Sequence, residues 1–323
     1  MKKARIIGTG RALPNKKVHN TDLEKIVETS DQWIKERSGI ETRYISTGET
    51  TTELAYSAAE KAIINSNINK EEVDLVIVAT VSPDSYAPAT ACVIAKKLGL
   101  KNPTAFDLTA GCSGFVYGLT VAKQFIENGN VKNALIVGVE VLSKLVNWKD
   151  RGTCVLFGDG AGACILSASD KNGIINTFTG SDGDVNNLLH IPGEPLDNPF
   201  YKEENPLPSK ISMEGSEIFK FATRIIKKSV KTVLKDSNYT VDQLNHIVPH
   251  QANLRIIEYA SEKLKIDLDK FYVNLDHCGN TSAASIPIAL DEMNEKGLLK
   301  ENDLIFLVGF GGGLTWGAAL LSW

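Results

Sequence analysis

The chain has 323 residues, 43% of them hydrophobic and 23% charged, with a net charge of −4. This suits an α/β chain of about two domains with a large core, and a negative balance offers nucleic acid no general attraction. No apolar run reaches the ~18 residues of a membrane span. The start Met1-Lys2-Lys3-Ala4-Arg5 has no apolar stretch for a signal peptide, and the five scattered cysteines contain no C-x-x-C pair, so neither a disulfide framework nor a zinc site is expected and a cytoplasmic setting is.

In chain order, helical spacing predicts a helix over Thr52–Asn65, then a Val/Ile-rich strand over Val73–Val81 and a helix over Ala89–Leu98. The segment Asp107–Phe115 ends a strand and opens a helix over Ser113–Asn128, and Ala134–Val139 is the next strand. Gly180–Pro208, rich in Pro, Asp and Asn, reads as a long loop. Helices follow over Glu217–Lys235, Leu254–Leu264 and Ser282–Lys296, with strands over Leu304–Gly309 and Gly317–Leu321.

The two halves resemble each other. Asn65-Ser66-Asn67 before Asp74-Leu75-Val76 parallels Asp236-Ser237-Asn238 before Asn245-His246-Ile247 at an offset of 171. Gly111-Cys112-Ser113 aligns with Gly279-Asn280-Thr281 at 168, Gly129 with Gly297 at 168, and Ala134–Gly138 with Leu304–Val308 at 170. An internal duplication is expected, with one half over 1–171, the other over 172–323, and a loop-rich connection at about 180–208. Cys112 and Asn280 then occupy equivalent points, each opening a helix.

Cys112 is the expected nucleophile. It stands at a helix start among small residues, where the helix dipole would lower its pKa and a thioester could approach. Cys92, Cys154, Cys164 and Cys278 sit among apolar or crowded neighbours and read as structural. Of the five histidines, His19 and His190 lie in loop-like surroundings, His246 lies within a strand, and His277 reads as a loop residue. His250, in Ile247-Val248-Pro249-His250-Gln251-Ala252-Asn253, lies where a strand ends and a helix begins, the edge at which open α/β sheets place chemistry. Gly158-Asp159-Gly160-Ala161-Gly162 lacks the Lys-Ser/Thr of a phosphate loop and the dinucleotide spacing, and reads as a tight turn beside the site.

Gly111-Cys112-Ser113-Gly114-Phe115, Val248–Asn253 and Gly279-Asn280-Thr281-Ser282-Ala283-Ala284-Ser285 resemble the three active-site motifs of the β-ketoacyl-acyl-carrier-protein synthase III family. Arg151-Gly152-Thr153, Leu156–Gly162 and Gly309–Gly317 are similar to it as well, and the resemblance runs nearly end to end. It implies a thiolase fold, two βαβαβαββ halves in a five-layer αβαβα sandwich, and a homodimer. It also implies an acyltransferase reaction. An acyl-CoA primer acylates Cys112, and malonyl-acyl-carrier protein then condenses with decarboxylation, starting fatty acid synthesis without metal or organic cofactor. His250 and Asn280 would stabilise the enolate. Backbone N–H groups of Cys112 and Gly312 would hold the oxyanion, and Phe310 would face the departing carboxylate.

The resemblance further places CoA against Trp33 and Arg37, which would clamp the adenine, with Arg151 on a phosphate and Gly215 and Asn253 on the pantetheine arm. Phe157 and Ala87 would shape the acyl pocket. Many members carry Phe before Pro88, projecting into the partner's pocket, so Ala87 would widen the room for longer or branched primers. Lys220, Arg224, Lys227, Lys228 and Lys231 share a helix face opposite Phe219, Ala222, Ile226, Val230 and Val233. With Arg255 they would steer the acidic carrier protein. Alternatives are a secondary-metabolism condensing enzyme or acyltransferase of the same subfamily, or an inactive carrier-binding subunit.

Overall fold

The apolar runs become the strands of two sheets, and the helices between them fill three layers. The computed structural model describes residues 2–202 and 209–323; the tail of the expected 180–208 loop thus lies outside the described residues. The nine sheet strands are β1 (Lys3–Ala12), β2 (Leu75–Ala79), β3 (Thr104–Leu108), β4 (Asn133–Glu140), β5 (Gly160–Ser169), β6 (Ile174–Ser181), β7 (His246–Pro249), β8 (Leu304–Gly311) and β9 (Thr315–Ser322). The main helices are α1 (Asp31–Ser38), α2 (Thr51–Ser66), α3 (Thr90–Leu98), α4 (Gly114–Glu127), α5 (Gly215–Lys235), α6 (Leu254–Leu264) and α7 (Ser285–Glu295).

The first sheet runs β1-β5-β4-β2-β3, with β2 parallel to both β3 and β4 and the remaining pairs antiparallel. The second runs β6-β9-β8-β7, with β7 parallel to β8 and the other pairs antiparallel. A single parallel bridge from Ile247 to Phe271 stands where β3 stands in the first sheet. The strands thus repeat in one order. Leu75 pairs with Ala134 and His246 with Ile305, so an offset of 171 relates both partners. The match of Ala134–Gly138 to Leu304–Val308 is therefore corrected by one residue.

Helix α4 and helix α7 lie between the sheets. Phe115, Val116, Leu119 and Ile126 of one, and Ile286, Leu290 and Met293 of the other, share a core with Leu75, Ile77, Ile305 and Leu307. Both helices are apolar around much of their girth, as a layer covered on two sides requires. Helix α2 and helix α3 cover the outer face of the first sheet, and α5 and α6 that of the second. Helix α5 buries one stripe, from Ile218 and Phe221 to Val233 and Leu234, and leaves its cationic face in water. This αβαβα stack is a thiolase fold.

Two local readings change. Gly160–Ser169 is strand β5, not a turn. Its glycines admit α7, since a Cβ on Gly162 would lie 2.5 Å from the backbone N of Ile288; Gly158, just before the strand, makes room for the Cys278 carbonyl, 2.4 Å from where its Cβ would be. The loop after β6 also carries short pairings, Leu189–His190 with Ser212–Met213 and Asp197–Asn198 with Tyr201–Lys202. Among the described residues no helix is long and apolar enough to cross a membrane.

Candidate active site

Cys112 sits in a 3-10 turn, Gly111–Ser113, that feeds directly into α4. Gly111 takes φ +51°, and a Cβ there would lie 2.9 Å from the Gly312 carbonyl, so the turn requires glycine. In the second half the matching turn is Ser282–Ala284, ahead of α7. Ser282 has φ +48° and is the counterpart of Gly111, which makes Ala283 rather than Asn280 the equivalent of Cys112. The glycines Gly129 and Gly297 still align at 168 because α7 is three residues shorter than α4, 11 against 14.

Three chain ends converge on the sulfur. His250 follows β7, Asn280 precedes the Ser282 turn, and Phe310 and Gly311 end β8; all line one cavity of about 510 Å³ with Cys112. The imidazole of His250 is buried, its Nδ1 lies 2.8 Å from Ser285 Oγ, and its ring meets Phe310 edge-on at 5.3 Å. Burial holds its pKa down at about 3, so the ring is neutral at pH 7.

Asn280 is held by its backbone, which donates to the Leu156 carbonyl at 2.9 Å and accepts from Gly158 N–H at 3.0 Å. The N–H of Ser282 donates to Asn280 Oδ1 at 2.9 Å, which orients the amide so that Nδ2 is the end left for a ligand. The backbone N–H groups of Cys112 and Gly312 lie near the sulfur and favour its ionised form. The expected low thiol pKa is corrected: burial dominates and, with the nearby Glu140 carboxyl, pushes the thiol up to about 11. A cysteine only 7% exposed loses more from desolvation than the helix dipole returns.

The large cavity opens past Trp33, Arg37, Gly152, Gly215, Asn253 and Arg255. The Arg151 guanidinium lies 4.8 Å from the Trp33 ring centre, nearer than Arg37 at 5.9 Å. Arg151, expected on a phosphate, thus stands over the indole expected to pair with Arg37. Asn253 uses both ends of its amide on protein, donating to the Arg37 carbonyl at 2.9 Å and accepting from Arg255 N–H at 2.9 Å. It caps α6 and braces the end of α1.

A second cavity of about 300 Å³ meets Cys112 from the other side, lined by Val81, Leu142, Phe157, Leu189, Ile191 and Ile211 among others. Phe157, expected to shape an acyl pocket, lines both cavities. Ala87 lines neither cavity and is exposed, next to a cis Ala87–Pro88 bond.

On α5 the five cations are all exposed, but not equivalent. Lys220 pairs with Glu217 at 2.7 Å, and Lys228 lies 5.0 Å over Trp316. Among the described residues Arg224, Lys227 and Lys231 have no acidic partner, and Arg255 lines the cavity.

Sequence reasoning missed Ser285, which braces His250, Ser282, which orients Asn280, and Glu140, buried beside them. It also missed Leu189 and Met213, walls supplied by the loop-rich segment. Glu140 alone carried a signal, as a lone acid in the apolar run Ala134–Leu142.

Models of 3-oxoacyl-[acyl-carrier-protein (ACP)] synthase III match residues 106–183, and of its C-terminal part residues 234–323. A β-ketoacyl-[acyl-carrier-protein] synthase III of Clostridium acetobutylicum is 54% identical over 100% of this chain and 99% of its own, and one from Clostridium novyi is 52% identical over 100% of both. The crystal structure of 3-oxoacyl-[acyl-carrier-protein] synthase III from Aquifex aeolicus superposes with a TM-score of 0.92 at 45% identity, covering 99% of this chain and 100% of that one. The chain belongs to the 3-oxoacyl-[acyl-carrier-protein] synthase III family. Cys112, His250 and Asn280, one from each of the three motifs, line the same cavity.

Proposed function

We propose that Cys112 takes an acyl group from an acyl-CoA and that the acyl-enzyme condenses with malonyl-acyl-carrier protein, releasing CO2. The observation that carries this reading is the convergence of Cys112, His250, Asn280 and Phe310 on one cavity whose mouth is framed by Trp33, Arg37 and Arg255. Acyl transfer needs oxyanion donors beside the sulfur, and the N–H groups of Cys112 and Gly312 are the backbone donors near it. One such donor is worth ~3 kcal/mol.

The second stage needs two donors for an enolate. With the Ser285 hydroxyl donating to Nδ1, neutral His250 carries its proton on Nε2, and the amide of Asn280 presents Nδ2. Both bonds strengthen as the thioester oxygen gains charge, which lowers the barrier instead of merely tightening binding. The buried ring of Phe310 beside His250 gives the malonyl carboxylate an apolar neighbour that favours its loss as CO2. These steps proceed through side chains and backbone alone.

The adenine of CoA would stack between Trp33 and Arg151, which at 4.8 Å must first move apart to admit it. Gly215 flanks the same cavity as a wall for the pantetheine arm. Arg224, Lys227, Lys231 and Arg255 would attract the acidic carrier, with Lys220 and Lys228 contributing less because each already has a partner. A homodimer is the assembled form: β3 leaves one edge unpaired, with Phe106 and Leu108 only half-buried along it.

Intact-protein mass spectrometry after exposure to acyl-CoA tests the division of labour. Cys112→Ser should show no adduct, whereas His250→Ala and Asn280→Ala should acylate but fail to decarboxylate malonyl-carrier protein. Failure of Asn280→Ala to acylate, with its fold preserved, would sink the assignment.

A further inference from the structure

The condensation as described leaves Glu140 unused. This residue ends β4, its side chain is fully buried, and among the described residues no cation pairs with it. An uncompensated buried carboxylate costs several kcal/mol, so its retention beside a nucleophile calls for a reason. Four donors surround it. Ser82 Oγ lies at 2.5 Å, Val81 N–H at 3.1 Å and Thr80 Oγ1 at 3.3 Å, all from the turn after β2. The fourth, Ser282 Oγ at 3.2 Å, comes from the other half of the chain.

Ser282 links this carboxyl to the chemistry. Its hydroxyl stands close enough to Cys112 to favour the thiolate, and both residues line the smaller cavity. Its backbone holds the left-handed conformation that serine rarely adopts, φ +48°, at a cost of order 1–3 kcal/mol. That conformation sets the N–H on Asn280 and the hydroxyl between Cys112 and Glu140.

We propose that Glu140 accepts the thiol proton of Cys112 through the hydroxyl of Ser282. The S–H bond breaks as its proton passes to Ser282 Oγ, and the hydroxyl's own proton passes to a Glu140 oxygen. Negative charge moves from carboxylate to sulfur. The thiolate attacks the acyl-CoA carbonyl, the tetrahedral adduct expels the CoA sulfur, and that sulfur takes the proton back by the same hydroxyl. Atoms and charge balance with no further reactant. The assignment rests on the acyl transfer proposed above.

Two features make the relay necessary and feasible. Burial pushes the thiol to about 11, so Cys112 alone is scarcely ionised at pH 7. Burial also raises the Glu140 carboxyl to about 7, the range a general base requires. His250 is a far weaker base, at about 3, and its Nδ1 is engaged by Ser285. Among the described residues Cys112 is the titratable group that faces Glu140. Of the charged groups on the neighbouring turns, Lys144 pairs with Asp84 at 3.5 Å, and Asp159 accepts from the N–H groups of Ser46 and Ser143.

The test is the rate of iodoacetamide alkylation of the Cys112 peptide, read by mass spectrometry so that exposed Cys92 is not counted. Wild type, Glu140→Gln and Ser282→Ala are compared from about pH 5.5 to about pH 10. General bases contribute 10²–10⁴-fold, so both variants should react about 100-fold more slowly at pH 7. The wild-type inflection near pH 7 should vanish in them, the rate instead climbing with hydroxide. A profile in Ser282→Ala that matches wild type would overturn the relay, and that variant decides alone if Glu140→Gln does not fold. Alkylation uses no acyl-CoA, so a wild type with the inflection but no acyl adduct would refute the acyl-transfer reading and not the relay.

Discussion

His250 offers a quantitative check on the electrostatics of the site through stability. Its pKa falls from the ordinary 6.5 to about 3 because the ring is enclosed. The native state therefore refuses a proton that the unfolded chain accepts below pH 6.5. The stability this contributes is complete above pH 6.5 and is lost as pH falls toward 3. Each unit is worth about 1.4 kcal/mol, so at pH 5 the loss is about 2 kcal/mol. Glu140 acts in the opposite sense: its carboxyl, raised from 4.5 to about 7, makes the native state the better proton acceptor as pH falls through that window. The wild type alone would show a muted trend. Comparison with His250→Gln isolates the histidine, because Glu140 is present in both. Urea unfolding at pH 7 and pH 5, at one protein concentration, should show wild type losing about 2 kcal/mol more than the variant. Parallel losses would refute the claim that the buried ring is neutral.

Other perturbations test the rest of the site. Gly311→Ala puts a Cβ 2.7 Å from Cys112 Sγ, and since misplacement by about 1 Å can cost 10²-fold, single-turnover acylation should fall by about that factor. Replacing Arg224 and Lys227 with Glu should raise KM for malonyl-carrier protein while sparing acyl-CoA, and wild-type carrier binding should weaken with salt, whose screening length is ~10 Å at 0.1 M; equal loss with both substrates would make the helix structural. Ala87 lines neither cavity of its own chain and could reach an acyl pocket only across the proposed homodimer; if it does, Ala87→Phe should narrow the primers used toward acetyl, since two further buried CH2 groups at about 0.8 kcal/mol each shift preference roughly tenfold. Comparing kcat/KM for acetyl-, butyryl- and octanoyl-CoA reads this out, and an acetyl-only wild type unchanged by the substitution would refute it.

Much of this molecule is written locally. The helical spacing of Phe115, Val116, Leu119 and Ile126 places α4, and the run before His250 places the end of β7, because periodicity and strand ends depend on neighbours in the chain. The repeat was legible for the same reason, since a duplicated pattern survives where individual residues have changed. Cys112, His250 and Asn280 stood out by motif, and the fold brings them to one cavity.

What the chain order could not express is what each residue meets across the sheets. The dipole argument at Cys112 concerned one helix, whereas the thiol's pKa is set by enclosure beneath Gly311 and by a carboxylate from β4. Gly158–Gly162 read as a turn because glycines in sequence suggest bending; in space they let α7 and Cys278 press against β5. Arg151 reaches Trp33 from 118 positions away, a distance along the chain that carries no information about contact. Ser282 and Ser285 carry no role legible in sequence, yet Asn280 is oriented by the one and His250 by the other. Propensity and pattern decide where elements begin, since they act within a few residues. Burial, charge pairing and hydrogen-bond orientation decide what the site can do, and those arise only when distant segments exclude water together.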